Sequence, residues 1–189
     1  ALRALENAAD RIGRSLTINS PAPPGPGLAA ALRTAGRRHP DLLAEITARA
    51  PQEPYRCYLL YAARRLRATR LADATLAYPG PAGFVADVAL LQDALAAAGA
   101  PRQAFGELQH LRWQAETFGF HLASLEIRQH SAVHERALAE LRSGTELSVL
   151  TGEVLATFEA MAWVQERFGT VACHRYVVSF TRSAADIAA

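Results

Sequence analysis

The stretch FGFHLASLEIRQHSAVHERALAEL, residues 118–141, decides the fold. Phe118 and Gly119 end a helical pattern, residues 120–127 form an apolar run typical of a strand, and residues 131–141 return to helical spacing. Strand, short loop and helix in this order are the building block of an α/β sheet or barrel. The sequence therefore predicts a parallel strand over residues 120–127 that leads almost directly into a helix.

Charged and polar residues cluster where this strand is predicted to end. Side chains alternate along a strand, so Glu126 and Arg128 share one face. The carboxyl ends of parallel strands are where α/β proteins hold ligands, and the guanidinium fork of arginine suits phosphate. A salt bridge from Arg128 to Glu126, or to an acid on a neighbouring strand, accounts for the same residues without a ligand. Gln129 and Ser131 are further ligand candidates, although Ser131 is also explained as the cap of the next helix.

The rest of the chain has mainly helical spacing. It predicts helices over residues 2–18, 28–38, 41–49, 51–73, 82–98, 101–117 and 149–168, and a second strand over residues 176–180. The proline-rich residues 20–27 predict a linker. Asp41 is a predicted N-cap, Pro54 fits a first helical turn, and Ser183 with Asp186 predicts a capping box at the last helix.

Composition narrows the classes of function. All 20 basic residues are arginine, which excludes lysine chemistry in this chain, and the net charge of +2 argues neither for nor against an anionic partner. No apolar run reaches the ~18 residues that span a bilayer, so no membrane association is predicted. Tyrosines interleave with the arginines of residues 56–70, but the near-neutral charge favours a solvated or acid-paired face over nucleic-acid binding. Cys57 and Cys173 match no metal or disulfide pattern, and a cytoplasmic location is expected.

Three blocks of the chain resemble phosphoenolpyruvate carboxylases. The central one resembles the family segment FGxxLxxLDIRQxSxxHxxAL, on Phe118-Gly119, Leu122, Leu125-Glu126-Ile127-Arg128-Gln129, Ser131, His134 and Ala137-Leu138. Glu53-Pro54-Tyr55-Arg56 resembles the family's EPYR helix, and residues 176–186 resemble its YVISMTxSxSD block. The three blocks stand in the family's order.

The resemblance implies a reaction and a set of site residues. The family joins bicarbonate to phosphoenolpyruvate, giving oxaloacetate and phosphate, with Mg²⁺ or Mn²⁺ in a homotetramer. Arg128 is then the catalytic residue that binds the phosphate, with Gln129 as a second substrate-binding residue. Glu126, in place of the family's Asp, orients Arg128, and Ser131 and His134 support the site. His130 and His134 have metal-ligand spacing but lack the glutamate of the zincin pattern, so no metal ligand is expected in this chain.

The resemblance also implies the architecture. The predicted fold is mainly α with a few parallel β-strands, as a partial (β/α)8 TIM barrel: a helical region over residues 1–117 and two β/α units over residues 118–189. The family's TAHPTE, GYSDSxKD and FHGRGG blocks are not in the sequence. The chain is also expected to have fewer residues than its relatives between Leu141 and Val149. These observations predict an internal, inactive fragment of the enzyme. A helical scaffold or interaction module derived from the same fold is the alternative.

Overall fold

The computed structural model describes residues 1–17, 23–144 and 146–188. Contacts within the chain divide it into two compact units, Ala1–Leu122 and Ala123–Ala189. The sequence placed the corresponding division after residue 117. Ile18 and the first part of the predicted linker, residues 20–22, lie outside the described residues.

The elements of the first unit, among its described residues, are all helices. Its elements are α1 (Leu2–Ser15), α2 (Pro26–Arg38), α3 (Pro40–Arg49), α4 (Pro54–Leu71), α5 (Pro81–Ala97), α6 (Pro101–Phe105) and α7 (Glu107–Phe118). The helices from α2 to α6 all begin with proline, whose missing N–H would have no partner in a first turn anyway. The prediction for Pro54 is confirmed. Asp41 is not the N-cap of α3, because Pro40 opens that helix and His39 takes the cap position.

Helix α4 contributes more buried residues to the core of the first unit than any of its other helices does. The predicted stripe of Tyr55, Leu59, Ala62, Ala63 and Leu66 is buried, and the helix contacts α1, α2, α3 and α5. Four of its arginines form ion pairs with acids of the same unit, namely Arg56–Glu53, Arg64–Glu45, Arg65–Asp87 and Arg70–Glu6. The basic helix is therefore neutralised largely within its own unit.

A polar cluster around Asp87 joins α4 to α5. Tyr58 donates a hydrogen bond to one carboxylate oxygen of Asp87 at 2.7 Å, and Tyr78 donates to the other at 2.6 Å. Arg65 reaches the same carboxylate at 3.3 Å and lies over the ring of Tyr78. Burial, followed by the charge of Asp87, raises the pKa of both tyrosine hydroxyls. Both hydroxyls are therefore protonated donors, and the cluster combines a half-buried ion pair with two charge-assisted hydrogen bonds.

The predicted helix over residues 101–117 is in fact two helices. Gly106 separates α6 from α7 with a ψ of −115°, and a Cβ there would lie 2.7 Å from the carbonyl oxygen of Arg102. The buried side chain of Gln92 donates to the carbonyl of Ala104 at 2.8 Å, which fixes this break against α5. Hydrophobic spacing continues through Gly106, so the pattern alone does not reveal the interruption.

The end of α7 agrees with the sequence, but the predicted strand after it does not. Gly119 terminates the helix at a φ of +51°, a backbone conformation that favours glycine. Phe120 is then buried beside Tyr78 in the helical unit, and Leu122 has a φ of +80°. The strand begins only at Glu126. The apolar residues before it belong partly to the helical core, which is why the predicted start was too early.

The second unit contains two parallel strands joined by helices. Its elements are β1 (Glu126–His130), α8 (Ser131–Ser143), α9 (Val149–Phe168), a 3₁₀ turn (Thr170–Ala172), β2 (Arg175–Ser179) and α10 (Ala185–Ala188). The strands pair in parallel, with Arg128 opposite Val177. The parallel arrangement and the bounds of α9 agree with the sequence. The carboxylate of Asp186 accepts the backbone N–H of Ser183 at 3.0 Å, the half of the predicted capping box that Asp186 supplies.

Glu140 joins α8 to the start of α9. Its carboxylate accepts hydrogen bonds from the hydroxyl of Thr151 at 2.7 Å and from the N–H and hydroxyl of Ser148 at 2.9 and 3.0 Å. Arg136 forms an ion pair with it one turn away. These donors, Thr151 first, lower the pKa of Glu140 to about 2. Glu140 is therefore ionised near neutral pH, and its carboxylate ties the last turn of α8 to the start of α9.

We predict that Asp87→Asn lowers the free energy of unfolding by about 2 kcal/mol, because Arg65 loses its ion pair and the two tyrosines lose a charged acceptor. Denaturant unfolding followed by circular dichroism measures the change. Asp93→Asn on the same helix is the matched control, since Asp93 is exposed and has no ion pair among the described residues. Equal losses in the two variants would show that the cluster adds nothing.

We predict that Glu140→Gln lowers the melting temperature above pH 5 and has no effect near pH 2. A carboxylate whose folded pKa is about 2, against an ordinary value of 4.5, stabilises the fold above 4.5 and loses that contribution as the pH falls towards 2. Melting curves between pH 2 and 7 test this. Glu159→Gln, at an exposed position of α9, should show no such pH-dependent difference. A pH-independent difference for Glu140→Gln would contradict the assignment.

Candidate functional site

The site candidates lie along β1 and the first turn of α8. Glu126, Arg128 and His130 alternate with Ile127 and Gln129, so the two sets lie on opposite faces of the sheet. Ile127 lines an apolar cavity together with residues of α9, and Tyr176 and Val178 of β2 line another with residues of both helices. Helices α8 and α9 therefore cover the face of Ile127, and Arg128 lies on the opposite face.

Arg128 is exposed on that face. Within residues 1–17, 23–144 and 146–188 it forms no salt bridge, either with Glu126 or with another carboxylate. The salt-bridge interpretation of Arg128 is thus not realised among these residues. Glu126 lies opposite Arg175 in the register, and its predicted role as an orienter of Arg128 stays a prediction.

Gln129 lies on the other face from Arg128. Its side-chain oxygen accepts the N–H of His130 at 2.8 Å, and its backbone carbonyl accepts the hydroxyl of Ser179 at 3.2 Å. The first bond is local to the carboxyl end of β1, and the second joins that end to β2. The structure does not bring the side chains of Gln129 and Arg128 to a common face, and a substrate contact from Gln129 stays a prediction.

Ser131 is buried and does not cap α8. Its hydroxyl donates to the backbone carbonyl of Phe180 at 2.8 Å, which ties the start of α8 to the residue after β2. The N-cap is His130, whose Nδ1 accepts the N–H of Ala132 at 3.0 Å. The predicted cap was displaced by one residue because the strand passes into the helix without a loop, so the last strand residue also takes the cap position.

His134 belongs to the helix-covered side of the sheet. Its Nε2 lies 3.0 Å from the hydroxyl of Tyr176, and its ring centroid lies 6.2 Å from that of Phe158. Phe158 stacks on Tyr176 at 4.9 Å, and burial raises the pKa of the Tyr176 hydroxyl. His134 thus anchors α8 to β2, and its Nε2 atom is already engaged by the hydroxyl of Tyr176. Its predicted supporting role in a ligand site remains a prediction.

Sequence reasoning missed an aromatic pair at the carboxyl end of the strands. The ring of His130 stacks on that of Phe180 with centroids 4.7 Å apart and planes 19° apart. Phe180 has a φ of +58° and is 76% exposed. The available signal was positional, because His130 is the last residue of β1 and Phe180 directly follows β2, at the carboxyl ends where ligand-binding side chains of parallel sheets are found.

Two further properties concern the described residues as a whole. They contain no group of three or more His, Cys, Asp or Glu side chains placed to hold a metal ion. No described helix combines the length and apolar character needed to cross a bilayer.

The comparisons with known proteins agree on one family. A family model described as phosphoenolpyruvate carboxylase matches residues 1–148. The phosphoenolpyruvate carboxylase of Azorhizobium caulinodans is 43% identical over 110 residues, covering 49% of this chain and 12% of the relative. That of Xanthomonas campestris is 31% identical over 188 residues, and that of Thermosynechococcus vestitus is 29% identical over 213 residues, each covering 86% of this chain and 21% of the relative.

The chain therefore spans about a fifth or less of the length of these curated relatives. The matched residues include all of β1 and α8, the elements that carry Arg128 and its neighbours. Family-model coverage of most of the chain establishes the relationship. The chain belongs to the phosphoenolpyruvate carboxylase family.

Proposed function

We propose that this chain is an internal segment of a phosphoenolpyruvate carboxylase in which Arg128 binds the phosphate of phosphoenolpyruvate. The observation that carries the proposal is the placement of Arg128 on the sheet face opposite α8 and α9, without a salt bridge among the described residues. A permanently charged guanidinium that is held on a strand and has no acid paired to it is suited to an anionic ligand.

The two strands are proposed to be neighbours in a (β/α)8 barrel. Their parallel pairing and the packing of both helices on one face support this, since a barrel strand turns one face to the helices and the other to the interior. Arg128 would then point inward near the carboxyl end of β1, where barrel enzymes place ligand-binding residues. The remaining strands would come from parts of the enzyme beyond this chain.

The proposed reaction needs fixed positive charge. Phosphoenolpyruvate transfers its phosphoryl group to bicarbonate, giving an enolate and carboxyphosphate. Carboxyphosphate releases phosphate and carbon dioxide, and the enolate carbon attacks carbon dioxide to form oxaloacetate. As the bond between phosphorus and the enolate oxygen breaks, charge develops on that oxygen and redistributes over the phosphate oxygens, so a guanidinium already fixed beside them stabilises the transition state without reorganisation. Arg128 supplies that group, which makes it both the catalytic and the phosphate-binding residue in this proposal.

The other predicted site residues either support the site from a distance or contribute beside Arg128. Ser131 and His134 support the site indirectly, by tying α8 to Phe180 and to Tyr176. Glu126 is proposed to orient Arg128 once ligand is bound, and Gln129 to complete the substrate contacts. In the family Mg²⁺ or Mn²⁺ supplies Lewis-acid chemistry. The described residues offer no cluster of three ligands for it, and its ligands are proposed to lie elsewhere in the enzyme.

The remaining properties of the whole enzyme are proposed on family membership alone. The enzyme is proposed to serve anaplerotic carbon fixation, to assemble as a homotetramer and to lie in the cytoplasm. This chain by itself is proposed to be inactive. A non-catalytic module that retained the family fold would keep the same helices and strands. Such a module would not require a charged group at position 128.

We predict that Arg128→Gln, in the complete polypeptide that carries this chain, lowers kcat/KM for phosphoenolpyruvate by at least roughly 100-fold, because one fixed donor to the developing charge is lost. Steady-state kinetics of oxaloacetate formation measure the effect. Arg128→Lys should recover part of the loss, since a point charge remains but the fork is gone.

Arg142→Gln is the matched control. Arg142 lies in the last turn of α8, on an exposed part of the same unit. It should leave kcat/KM within about two-fold of the unmodified enzyme, as expected for a surface substitution. Equal activity of the Arg128 and Arg142 variants would remove Arg128 from the active site and favour the non-catalytic module.

A further inference from the structure

The imidazole of His130 has a fixed orientation and a fixed tautomer. A backbone N–H can only donate, so the Nδ1 atom that receives the N–H of Ala132 at 3.0 Å carries no proton. The ring proton therefore resides on Nε2. Stacking on Phe180, with ring planes 19° apart, holds the ring against rotation. Two independent contacts thus fix both the position of the ring and the direction of its N–H.

That N–H is available to a ligand. Within the described part of the chain, the side chain of His130 forms its hydrogen bond through Nδ1 and none through Nε2. His130 is exposed and shares a strand face with Arg128, two residues away. Positions two apart on a strand are separated by about 7 Å, and both side chains reach beyond the backbone. A phosphate or a short carboxylate can therefore contact both groups.

We propose that His130 is a second anion-binding residue, which donates its Nε2–H to the ligand held by Arg128. The inference rests on the proposed role of Arg128 and adds a directional donor beside its charge. The ligand class is a phosphate ester or carboxylate small enough to bridge the two side chains. Phe180 acts as the positioning residue, since its ring holds the imidazole and its own carbonyl is fixed by Ser131.

The arrangement uses one ring for two purposes. Nδ1 caps α8, and Nε2 points its proton to the ligand, so the donor is oriented before any ligand arrives. A serine at position 130 would keep the cap, because its hydroxyl can accept the same backbone N–H. It would not reach the ligand. His130→Ser therefore separates a capping role from a binding role.

The first test is nitrogen NMR of the full chain labelled at its six histidines. The His130 signal, identified by its loss in His130→Ser, should report an unprotonated Nδ1 and a protonated Nε2. The Nε2–H signal should shift when phosphoenolpyruvate is added. Titration with inorganic phosphate and with acetate distinguishes a contact to the phosphate from one to the carboxylate. A ring protonated at Nδ1 would overturn the inference.

The second test compares affinities in the complete polypeptide. His130→Ser should raise KM for phosphoenolpyruvate by about ten-fold, the effect of one hydrogen bond to a charged group, with an unchanged circular dichroism spectrum. Unchanged KM in His130→Ser together with impaired Arg128→Gln overturns the role of His130 alone. Unchanged kinetics in both variants overturns the proposed function as well. Phe180→Leu should give an intermediate KM, since the ring contact is lost while the donor remains.

Discussion

The parallel pairing of β1 with β2 is the constraint on which the candidate site depends. Parallel strands require a crossover, and α8 and α9 supply it. Because both helices pack on the face of Ile127, strand alternation alone places Arg128 and His130 on the other face. The hydroxyl of Ser131 then secures the carboxyl ends of the strands by binding the carbonyl of Phe180. The direction of each side chain at this edge follows from these few backbone relations.

The helices were predictable because their signals are local. Five begin at prolines that the sequence displays, and the buried stripe of α4 follows the spacing of one helix face. Parallel strands joined by helices also followed from the order of patterns around Arg128. Hydrophobic spacing reports that a residue is buried but not which element it meets. The pattern consequently predicts Phe120 in the strand, although Phe120 packs beside Tyr78 in the helical unit.

The details of the site were less predictable because they depend on contacts between distant residues. The Ser131–Phe180 and His134–Tyr176 bonds link residues more than forty positions apart. No local pattern distinguishes a serine that caps a helix from one that binds a distant carbonyl. The cap supplied by His130 is similarly hidden, because histidine is not among the favoured N-cap residues. The family resemblance points to Arg128 as a site residue. The imidazole of His130 beside it becomes apparent only from its contacts with Phe180 and Ala132.

The uneven burial of the helices has a consequence for local stability. Helix α4 has nine buried residues among 18, whereas α9 has two among 20. Amide protons exchange with solvent through openings whose free energy follows the packing that must be broken. The amide protons of α4 should be among the slowest in the chain to exchange. Those of α9 should exchange faster than those of the other long helices. Helix α9, which forms part of the crossover between the two strands, is thus held by fewer buried side chains of its own than α4 is.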